Sequence, residues 1–251
     1  TRLPAADHIR SGPAGRVAFP PVPSADAAPP PVLLLHGLAT TAERTWRDNG
    51  WIDLLADVGR TVLAPDLLGH GSAPKPHEPA EYADIGSHVV AGLPDGPVDA
   101  VGFSLGARVL LGLAAADTGR FRRLVLAGVG ENLFRRQDRD VIVRALEGDA
   151  DPADPVARYF AGLAAQPGMD GRALAALLQA TEEPLTREAV ASVTCPVLVV
   201  IGDRDFAGPP DPLVDALPDP HLVVLRGTDH FATPKDLRFI DAALDFLDAS
   251  G

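Results

Sequence analysis

The sequence predicts an α/β fold with a mostly parallel sheet and helices on both faces. Several short runs of apolar residues continue without a polar break, which is typical of strands that are buried on both sides. These runs alternate with stretches of helical periodicity, and that alternation indicates parallel strands joined by helical crossovers. Polar residues follow several of the runs directly, at the strand ends where such sheets bind ligands.

The predicted elements follow one another in a regular order. Buried strands are predicted by compact apolar runs over residues 32–35, 61–64, 98–103, 123–127, 196–201 and 221–225. A short edge strand is predicted over residues 17–19, and the proline-rich segment 20–31 is predicted to be a loop. Helices are predicted over residues 51–58, 82–93, 105–116, 138–146, 155–165, 172–180, 211–217 and 237–247.

The pattern changes between residues 131 and 193. This segment contains three of the predicted helices and no apolar run of the buried-strand type. It therefore interrupts the alternation of strands and helices that precedes and follows it. The sequence predicts an α/β core formed by residues 1–130 and 194–251, with residues 131–193 as a helical insert.

Composition and charge exclude several classes of function. The chain has 251 residues and a net charge of -12, which argues against binding to nucleic acid or to an anionic membrane. A single cysteine, Cys195, cannot form an internal disulfide and fits a reducing compartment. No apolar run approaches the roughly 18 residues of a membrane span, and the first residues lack a signal-peptide pattern. We expect a cytoplasmic protein with a small-molecule substrate, of undetermined oligomeric state.

The most informative stretch is Gly102-Phe103-Ser104-Leu105-Gly106. A serine between two glycines, where a strand turns sharply into a helix, is the nucleophile-elbow pattern. The turn strains the serine backbone, and the missing side chains at the glycines let strand and helix approach each other. A helix N-cap is the alternative interpretation of Ser104.

Possible partners for this serine follow two later strands. A serine hydroxyl is a weak nucleophile until a base takes its proton, and a carboxylate must orient that base. Asp203 and Asp205 follow the strand over 196–201, and His230 follows the last strand. The order serine, aspartate, histidine is that of the α/β-hydrolase triad.

The sequence resembles the α/β-hydrolase fold superfamily over nearly all of residues 30–249. Five pieces carry the resemblance in the expected order: His36-Gly37, Asp66-Leu67-Leu68-Gly69-His70-Gly71-Ser72, the elbow at 102–106, the strand and turn from Cys195 to Asp205, and Gly227-Thr228-Asp229-His230-Phe231. The second piece departs from the family's Asp-x-x-Gly-x-Gly-x-Ser loop, since its serine comes one place early and Ala73 takes the usual position. The resemblance implies the α/β-hydrolase fold, with residues 131–193 as a small helical cap.

The resemblance also implies roles for the matching residues. Ser104 would be the nucleophile, and His230 would be the general base and then the general acid. In the family's Gly-x-x-Asp pattern the triad acid is the last residue, which favours Asp205 over Asp203. Glu131 is a third candidate, because some members take the acid from the end of the strand that follows the elbow helix.

Other matching positions have supporting roles. The oxyanion hole would consist of the backbone N–H groups of Leu38 and Leu105. His36 and His70 are expected to brace loops rather than to perform chemistry. Apolar residues of the cap could line an acyl or alkyl pocket or pack the cap onto the core: Leu133, Phe134, Tyr159, Phe160, Leu163, Met169, Leu174 and Leu177.

These residues together predict a serine hydrolase that acts on a small, fairly apolar carboxylic ester, thioester or lactone. Ser104 stands where haloalkane dehalogenases of this fold carry aspartate, which favours acyl transfer. No cofactor and no metal are expected, since the sequence has no P-loop, no zinc spacing and no complete dinucleotide or calcium motif. The alternatives on the same triad are a carbon–carbon bond hydrolase and a cofactor-free perhydrolase. A third hypothesis is that the protein binds a small molecule without catalysis.

Overall fold

The computed structural model describes residues 29–136, 138–181 and 183–249. The predicted strand at residues 17–19 lies outside this part of the chain. Within it, six strands form one sheet in the order β2-β1-β3-β4-β5-β6, and every neighbouring pair is parallel. The strands are β1 (Val32–Leu35), β2 (Val62–Leu63), β3 (Val98–Phe103), β4 (Phe121–Ala127), β5 (Val197–Gly202) and β6 (Pro220–Leu225).

Helices connect the strands and cover the sheet. They are α1 (Trp51–Asp57), α2 (Ile85–Val90), α3 (Leu105–Ala116), α4 (Asp140–Leu146), α5 (Pro155–Ala164), α6 (Gly171–Ala180), α7 (Arg187–Ala191), α8 (Asp211–Val214) and α9 (Leu237–Phe246). Tighter turns of 3-10 helix span Pro79–Tyr82, Glu131–Phe134 and Thr233–Lys235, and Glu43–Arg47 forms a π-helical turn. Among the helices of these described ranges, none has both the length and the apolar composition of a membrane-spanning segment.

The four central strands β1, β3, β4 and β5 are buried on both faces, as their uninterrupted apolar runs predict. The edge strands β2 and β6 are only partly buried, and Leu222 and Val224 of β6 are exposed, so the prediction of fully buried strands was wrong there, because an edge strand lacks a neighbour on one side. Successive side chains of a strand point to opposite faces, and β1 shows the consequence. Leu33 and Leu35 belong to a core cluster on one face together with residues of α2 and α3. Val32 and Leu34 belong to a second cluster on the other face together with residues of α1 and α9. The α/β fold with a parallel sheet between helical layers is therefore confirmed.

The insert between β4 and β5 is helical, as its sequence pattern predicts. Helices α4, α5 and α6 pack together, and Leu146, Leu174 and Leu178 form a small apolar cluster with Ala39 of the loop after β1. Side chains of Asp154 and Asp170 cap the N-termini of α5 and α6 by accepting backbone N–H bonds. The insert thus rests on the loop that follows β1, while its division from the core at residues 131 and 193 stays a prediction.

The helix predicted over residues 82–93 is shorter in the structure. The chain forms a 3-10 turn over Pro79–Tyr82, and α2 begins only at Ile85. Asp84 has a non-helical backbone, and its side chain accepts a hydrogen bond from the N–H of Ser87. This N-cap starts a new helix at the point where the periodicity alone suggested a continuous one.

The turn from β3 into α3 depends on two glycines. A Cβ atom at Gly102 would lie 2.6 Å from the backbone nitrogen of Ala107, which is on the helix that follows the strand. A Cβ atom at Gly106 would lie 2.1 Å from the carbonyl oxygen of Leu35 on β1. The first glycine therefore lets α3 fold back on its own strand, and the second lets it approach the neighbouring strand.

This close approach gives a test within one helix. Gly106→Ala places a methyl group against a backbone carbonyl that cannot move without disrupting β1, so we expect a loss of about 3 kcal/mol or more in the free energy of unfolding. Gly112→Ala is the matched control, because nothing lies within 4 Å of a Cβ atom at that position of α3. The control should be neutral or gain about 0.5–1 kcal/mol. Urea unfolding of both variants measures the difference, and equal stabilities would contradict the proposed packing.

Candidate active site

Ser104 lies at the turn between β3 and α3 in a strained conformation. Its backbone angles are φ 54° and ψ −110°, a region that residues with a side chain seldom adopt. Its N–H donates to the carbonyl of Ala127 at 2.8 Å. The side chain makes no capping hydrogen bond to α3. Ser104 thus occupies the N-cap position of α3, as the alternative interpretation expects, but its hydroxyl does not cap the helix and points elsewhere.

The hydroxyl of Ser104 meets His230, and His230 meets Asp205. The distance between Ser104 Oγ and His230 Nε2 is 3.0 Å. On the other side of the ring, His230 Nδ1 lies 2.9 Å and 3.0 Å from the two carboxylate oxygens of Asp205. The side chain of Asp205 is fully buried. With the Nδ1 proton donated to this carboxylate, Nε2 is free to accept the proton of the serine hydroxyl.

The two other candidate acids occupy different positions. Asp203 is exposed, and its Oδ1 atom accepts a hydrogen bond from the N–H of Gly227 at 2.7 Å. This contact ties the turn after β5 to the loop that carries His230. Glu131 forms an ion pair with Arg135 one helical turn further on. The structure thus brings Asp205, and neither Asp203 nor Glu131, against the histidine.

A polar network holds the loop before His230 in place. Thr228 Oγ1 donates to Asp236 at 2.7 Å and accepts from the guanidinium of Arg238 at 2.9 Å. The hydrogen bond from Arg238 is the main reason that the pKa of Asp236 falls to about 2, although partial burial opposes the shift. The backbone carbonyl of Thr228 also accepts from the N–H of Arg204. The histidine loop is therefore anchored from both β5 and α9.

Leu38 and Leu105, the two residues predicted to form an oxyanion hole, line one cavity together with Ser104. The loop after β1 lies against the elbow, since a Cβ atom at Gly37 would be 3.4 Å from Cβ of Ser104. Leu105 is the first residue of α3, so its N–H has no acceptor within the helix. In the described chain neither amide N–H has a hydrogen-bond acceptor.

His36 and His70 lie behind this loop and are both fully buried. His36 Nε2 accepts from the N–H of Leu67 at 3.0 Å, and His70 Nε2 accepts from the N–H of Ala39 at 3.0 Å. Each ring donates its Nδ1 proton to a carbonyl: that of Gly37 for His36, and that of Leu68 for His70. The two rings therefore connect the loop after β1 to the loop after β2.

Burial keeps both rings neutral. It lowers the pKa of His36 and, together with the nearby His36, lowers the pKa of His70 to about 3. A neutral ring has one nitrogen that accepts and one that donates, which is the pattern that the hydrogen bonds require. The geometry agrees with a bracing role for both histidines.

The loop after β2 is closed by Asp66. Its carboxylate accepts from the N–H of Ala42 at 2.9 Å and from the N–H and hydroxyl of Ser72 at 2.8 Å and 3.0 Å. Burial opposes ionisation of this carboxyl, but the hydrogen bonds from Ser72 and Ala42 outweigh it and lower the pKa. Gly71 has φ +48°, and a Cβ atom there would lie 2.1 Å from Asp66 Oδ2. The serine one place early in the motif is thus the partner of Asp66.

The cavity in front of Ser104 has a volume of about 320 Å³. Four of the eight apolar residues predicted as possible lining do line it: Leu133, Tyr159, Phe160 and Leu163. The other four pack within the protein: Phe134, Met169, Leu174 and Leu177. Among the described residues, His, Cys, Asp and Glu side chains form no group of three that could hold a metal ion.

Several lining residues were not predicted from the sequence. The ring of Phe206 stacks at a tilt on His230 with 4.3 Å between centroids, and that of Phe103 lies 4.9 Å away. Phe231 contacts Tyr159 of α5 with centroids 4.8 Å apart. Each of these three phenylalanines is next in sequence to a residue predicted for the site, and this adjacency is the signal from which the sequence could have predicted them. Arg108 also lines the cavity. Its position on the first turn of α3, four residues after Ser104, is the signal from which the sequence could have predicted it.

Comparisons with known proteins agree with this fold. The sequence profile of the alpha/beta hydrolase family matches residues 32–242. The chain therefore belongs to the alpha/beta hydrolase family, which confirms the resemblance inferred from its motifs.

Individual relatives differ in their reported activities. The chain is 30% identical over 235 residues to a pimeloyl-[acyl-carrier protein] methyl ester esterase of Neisseria meningitidis serogroup B, covering 79% of this chain and 85% of that one. It is 28% identical over 247 residues to the 2-hydroxy-6-oxo-6-(2'-aminophenyl)hexa-2,4-dienoic acid hydrolase of Metapseudomonas resinovorans, covering 86% and 83%. The chain spans only part of the length of other curated relatives: the match covers 39% of one and 29% of another.

A solved structure shares the fold. The 2-hydroxy-6-oxo-6-phenylhexa-2,4-dienoate hydrolase of Rhodococcus sp. strain RHA1 superposes with a TM-score of 0.69. The two chains are 24% identical, and the match covers 88% of this chain and 91% of that one. At this identity the likeness shows the α/β-hydrolase fold and not a shared substrate.

The neutral His70 predicts a specific dependence of stability on pH. Its pKa of about 3 in the folded state lies below the unfolded value of 6.5, so the unfolded chain binds the proton more tightly. Stability from this group is complete above pH 6.5 and falls as the pH drops from there toward 3, by up to about 1.4 kcal/mol per pH unit. Urea unfolding between pH 7 and pH 5, above the main carboxylate titrations, measures the slope.

His70→Gln is the variant that isolates this effect. The glutamine amide oxygen can still accept from the N–H of Ala39, but the side chain does not titrate. We expect a flatter dependence of unfolding free energy on pH in the variant than in the wild type. Parallel curves for the two proteins would show that His70 is not the group responsible.

Proposed function

We propose that this protein is a serine hydrolase that cleaves a small, fairly apolar carboxylic ester, thioester or lactone through an acyl-enzyme on Ser104. The observation that carries the proposal is the continuous hydrogen-bonded chain from Ser104 through His230 to the buried Asp205. It faces a cavity of about 320 Å³, the size range of small-ligand sites. The family membership supports hydrolysis as the class of reaction.

The first half of the reaction follows from the geometry. Ser104 Oγ attacks the substrate carbonyl carbon while its proton passes to His230 Nε2. Asp205 accepts a hydrogen bond from the Nδ1–H group of His230. This hydrogen bond holds the ring in the productive tautomer and stabilises the cation that forms. The carbonyl oxygen becomes an oxyanion, and the N–H groups of Leu38 and Leu105 donate to it. The intermediate collapses when His230 passes its proton to the leaving alcohol or thiol.

The second half regenerates the enzyme. Water enters where the leaving group was and gives a proton to His230 Nε2 as it attacks the acyl carbon. The second tetrahedral intermediate uses the same two amide donors. His230 then returns the proton to Ser104 Oγ, and the carboxylic acid product departs. No step needs a group other than the residues described and water.

The substrate is expected to enter between the helical insert and the sheet. We propose that residues 131–193 act as a small cap, because Tyr159, Phe160 and Leu163 of α5 line the cavity opposite Ser104. Phe206 and Phe231 have 67% and 49% of their surface exposed, so they present apolar surface at the edge of the site. These features favour a small molecule with an apolar body, in a protein that we expect to be cytoplasmic.

Cleavage of a carbon–carbon bond is the second candidate on the same residues. The relative from Metapseudomonas resinovorans is a hydrolase of a hexadienoic acid and aligns over 86% of this chain. In such a reaction the carbon next to the attacked carbonyl takes the place of the ester oxygen as leaving group. A cofactor-free perhydrolase and a non-catalytic binding protein are weaker alternatives, and a panel of aryl esters, diketones and peracid assays separates all four.

Labelling of the nucleophile tests the proposal first. A fluorophosphonate probe should modify the wild type on Ser104, because an activated serine attacks phosphorus and the two oxyanion donors receive the phosphoryl oxygen. Peptide mass spectrometry locates the adduct. Ser104→Ala should remain unlabelled and lose about four to six orders of magnitude in ester turnover. Ser192→Ala, on a serine outside the cavity, should label like the wild type. A folded wild type that gains no adduct would overturn the hydrolase proposal.

The triad acid has its own matched pair of variants. Asp205→Asn turns an acceptor into a possible donor toward His230 Nδ1 and favours the wrong ring tautomer, so kcat should fall about 10⁴-fold. Asp203→Asn keeps an oxygen that can accept from Gly227, so its kcat should fall by less than about tenfold. Steady-state kinetics on an aryl ester compares them. The reverse order of effects would transfer the role of acid to Asp203.

A further inference from the structure

The cavity beside Ser104 is lined with positive charge. Arg44, Arg108, Arg139 and Lys235 all contribute to its wall, and none of the described lining residues is Asp or Glu. The whole chain is acidic, with 34 Asp and Glu residues against 22 Lys and Arg residues. Asp205 is not part of the cavity wall, since its carboxylate is fully buried against His230.

Arg108 has the most informative position of the four. It lies on α3 one helical turn after Ser104, and its N–H donates to the carbonyl of Ser104 at 3.0 Å. Its side chain is half-buried, and its guanidinium donates to the backbone carbonyl of Glu183. Within the described residues it forms no ion pair. A guanidinium has five N–H donors, so this arginine keeps donors for a ligand in the cavity.

A second cation lies close to Arg108. The guanidinium of Arg139 donates to the carbonyls of Leu178 and Thr181 and to the hydroxyl of Thr181, at 3.2–3.3 Å. Burial, and then the charge of Arg139, lower the pKa of Arg108. Both guanidinium groups line the cavity, and both attract an anion that binds there.

We propose that Arg108, assisted by Arg139, binds a carboxylate group of the substrate while Ser104 attacks a carbonyl elsewhere in the same molecule. This inference rests on the proposed serine hydrolase activity and narrows its substrates to esters that carry a carboxylate. The planar fork of a guanidinium matches the two oxygens of a carboxylate. Ser104 and Arg108 line the same cavity, and the N–H of Arg108 donates to the carbonyl of Ser104, so the carboxylate and the scissile carbonyl belong to one small molecule with an apolar body between them.

Two matched pairs of esters test the inference. Monophenyl adipate and phenyl heptanoate share a leaving group and a similar chain length, and only the first carries a carboxylate, on the acyl side. The pair 3-acetoxybenzoate and 3-methylphenyl acetate places the carboxylate on the leaving group instead. For each pair we compare kcat/KM of the charged ester with that of the neutral ester. Arg108→Gln should lower this ratio about 10- to 100-fold in at least one pair.

Arg144→Gln is the matched control, since Arg144 is an exposed arginine of α4 that does not line the cavity. It removes the same charge and should leave the ratio within about twofold of the wild type. Arg108→Lys keeps the charge without the fork and should give an intermediate ratio, which also serves if the glutamine variant does not fold. Ratios in the Arg108 variants equal to those of the wild type in both pairs would overturn the inference.

A binding measurement separates this inference from the hydrolase proposal. Calorimetric titration of Ser104→Ala with monophenyl adipate and with phenyl heptanoate needs no turnover. Tighter binding of the charged ester, lost in the double variant with Arg108→Gln, supports the carboxylate site even if the wild type hydrolyses neither ester. The same titration with 3-acetoxybenzoate and 3-methylphenyl acetate covers a carboxylate on the leaving group. Equal binding of the charged and the neutral ester in both pairs would overturn the carboxylate site even if the wild type is an active esterase.

Discussion

The close approach of helix α3 to strands β1 and β3 is the constraint on which the site depends. Gly106 lies where any Cβ atom would overlap the Leu35 carbonyl, and Gly102 lies where one would overlap the helix backbone. Ser104 adopts φ 54° between them. If the helix moved outward by an ångström, Oγ would leave hydrogen-bond range of His230 Nε2, which is 3.0 Å away. The position of the Ser104 side chain is thus a property of backbone packing, and the strain at this residue is sustained by the sheet around it.

Histidine serves two purposes in this molecule, and the neighbours of each ring decide which. His230 has a buried carboxylate on Nδ1 and a serine hydroxyl on Nε2, so it can hold a positive charge for the duration of a step. His70 has a carbonyl on Nδ1 and an amide N–H on Nε2. Burial outweighs the effect of its backbone hydrogen bonds and lowers its pKa to about 3. In the proposed mechanism His230 moves a proton, whereas His70 fixes the loop that carries Leu38.

The sequence predicts most of this arrangement, for identifiable physical reasons. Strands β1 and β3 match their predicted bounds, because a short, uninterrupted apolar run is typical of a strand that is buried on both faces of a parallel sheet. The residues after those strands meet because parallel strands end at one edge. The choice between Asp203 and Asp205 needed the turn after β5, where Ala207 N–H bonds to Asp205 and Gly227 N–H to Asp203. Contacts made after folding, such as Phe206 on His230, leave no periodic signal.

The net charge of the chain does not predict the charge around Ser104, because the fold decides which side chains line the cavity. A net charge of -12 describes the field far from the molecule. Exposed charges more than about 8–10 Å apart are largely screened at physiological salt, whereas partly buried ones are screened much less. A ligand beside Ser104 therefore responds to the cavity wall and not to the distant acidic surface. Arg108 enters that wall from the first turn of α3, where its N–H donates to the carbonyl of Ser104. An acidic protein can in this way present a positive site next to its nucleophile.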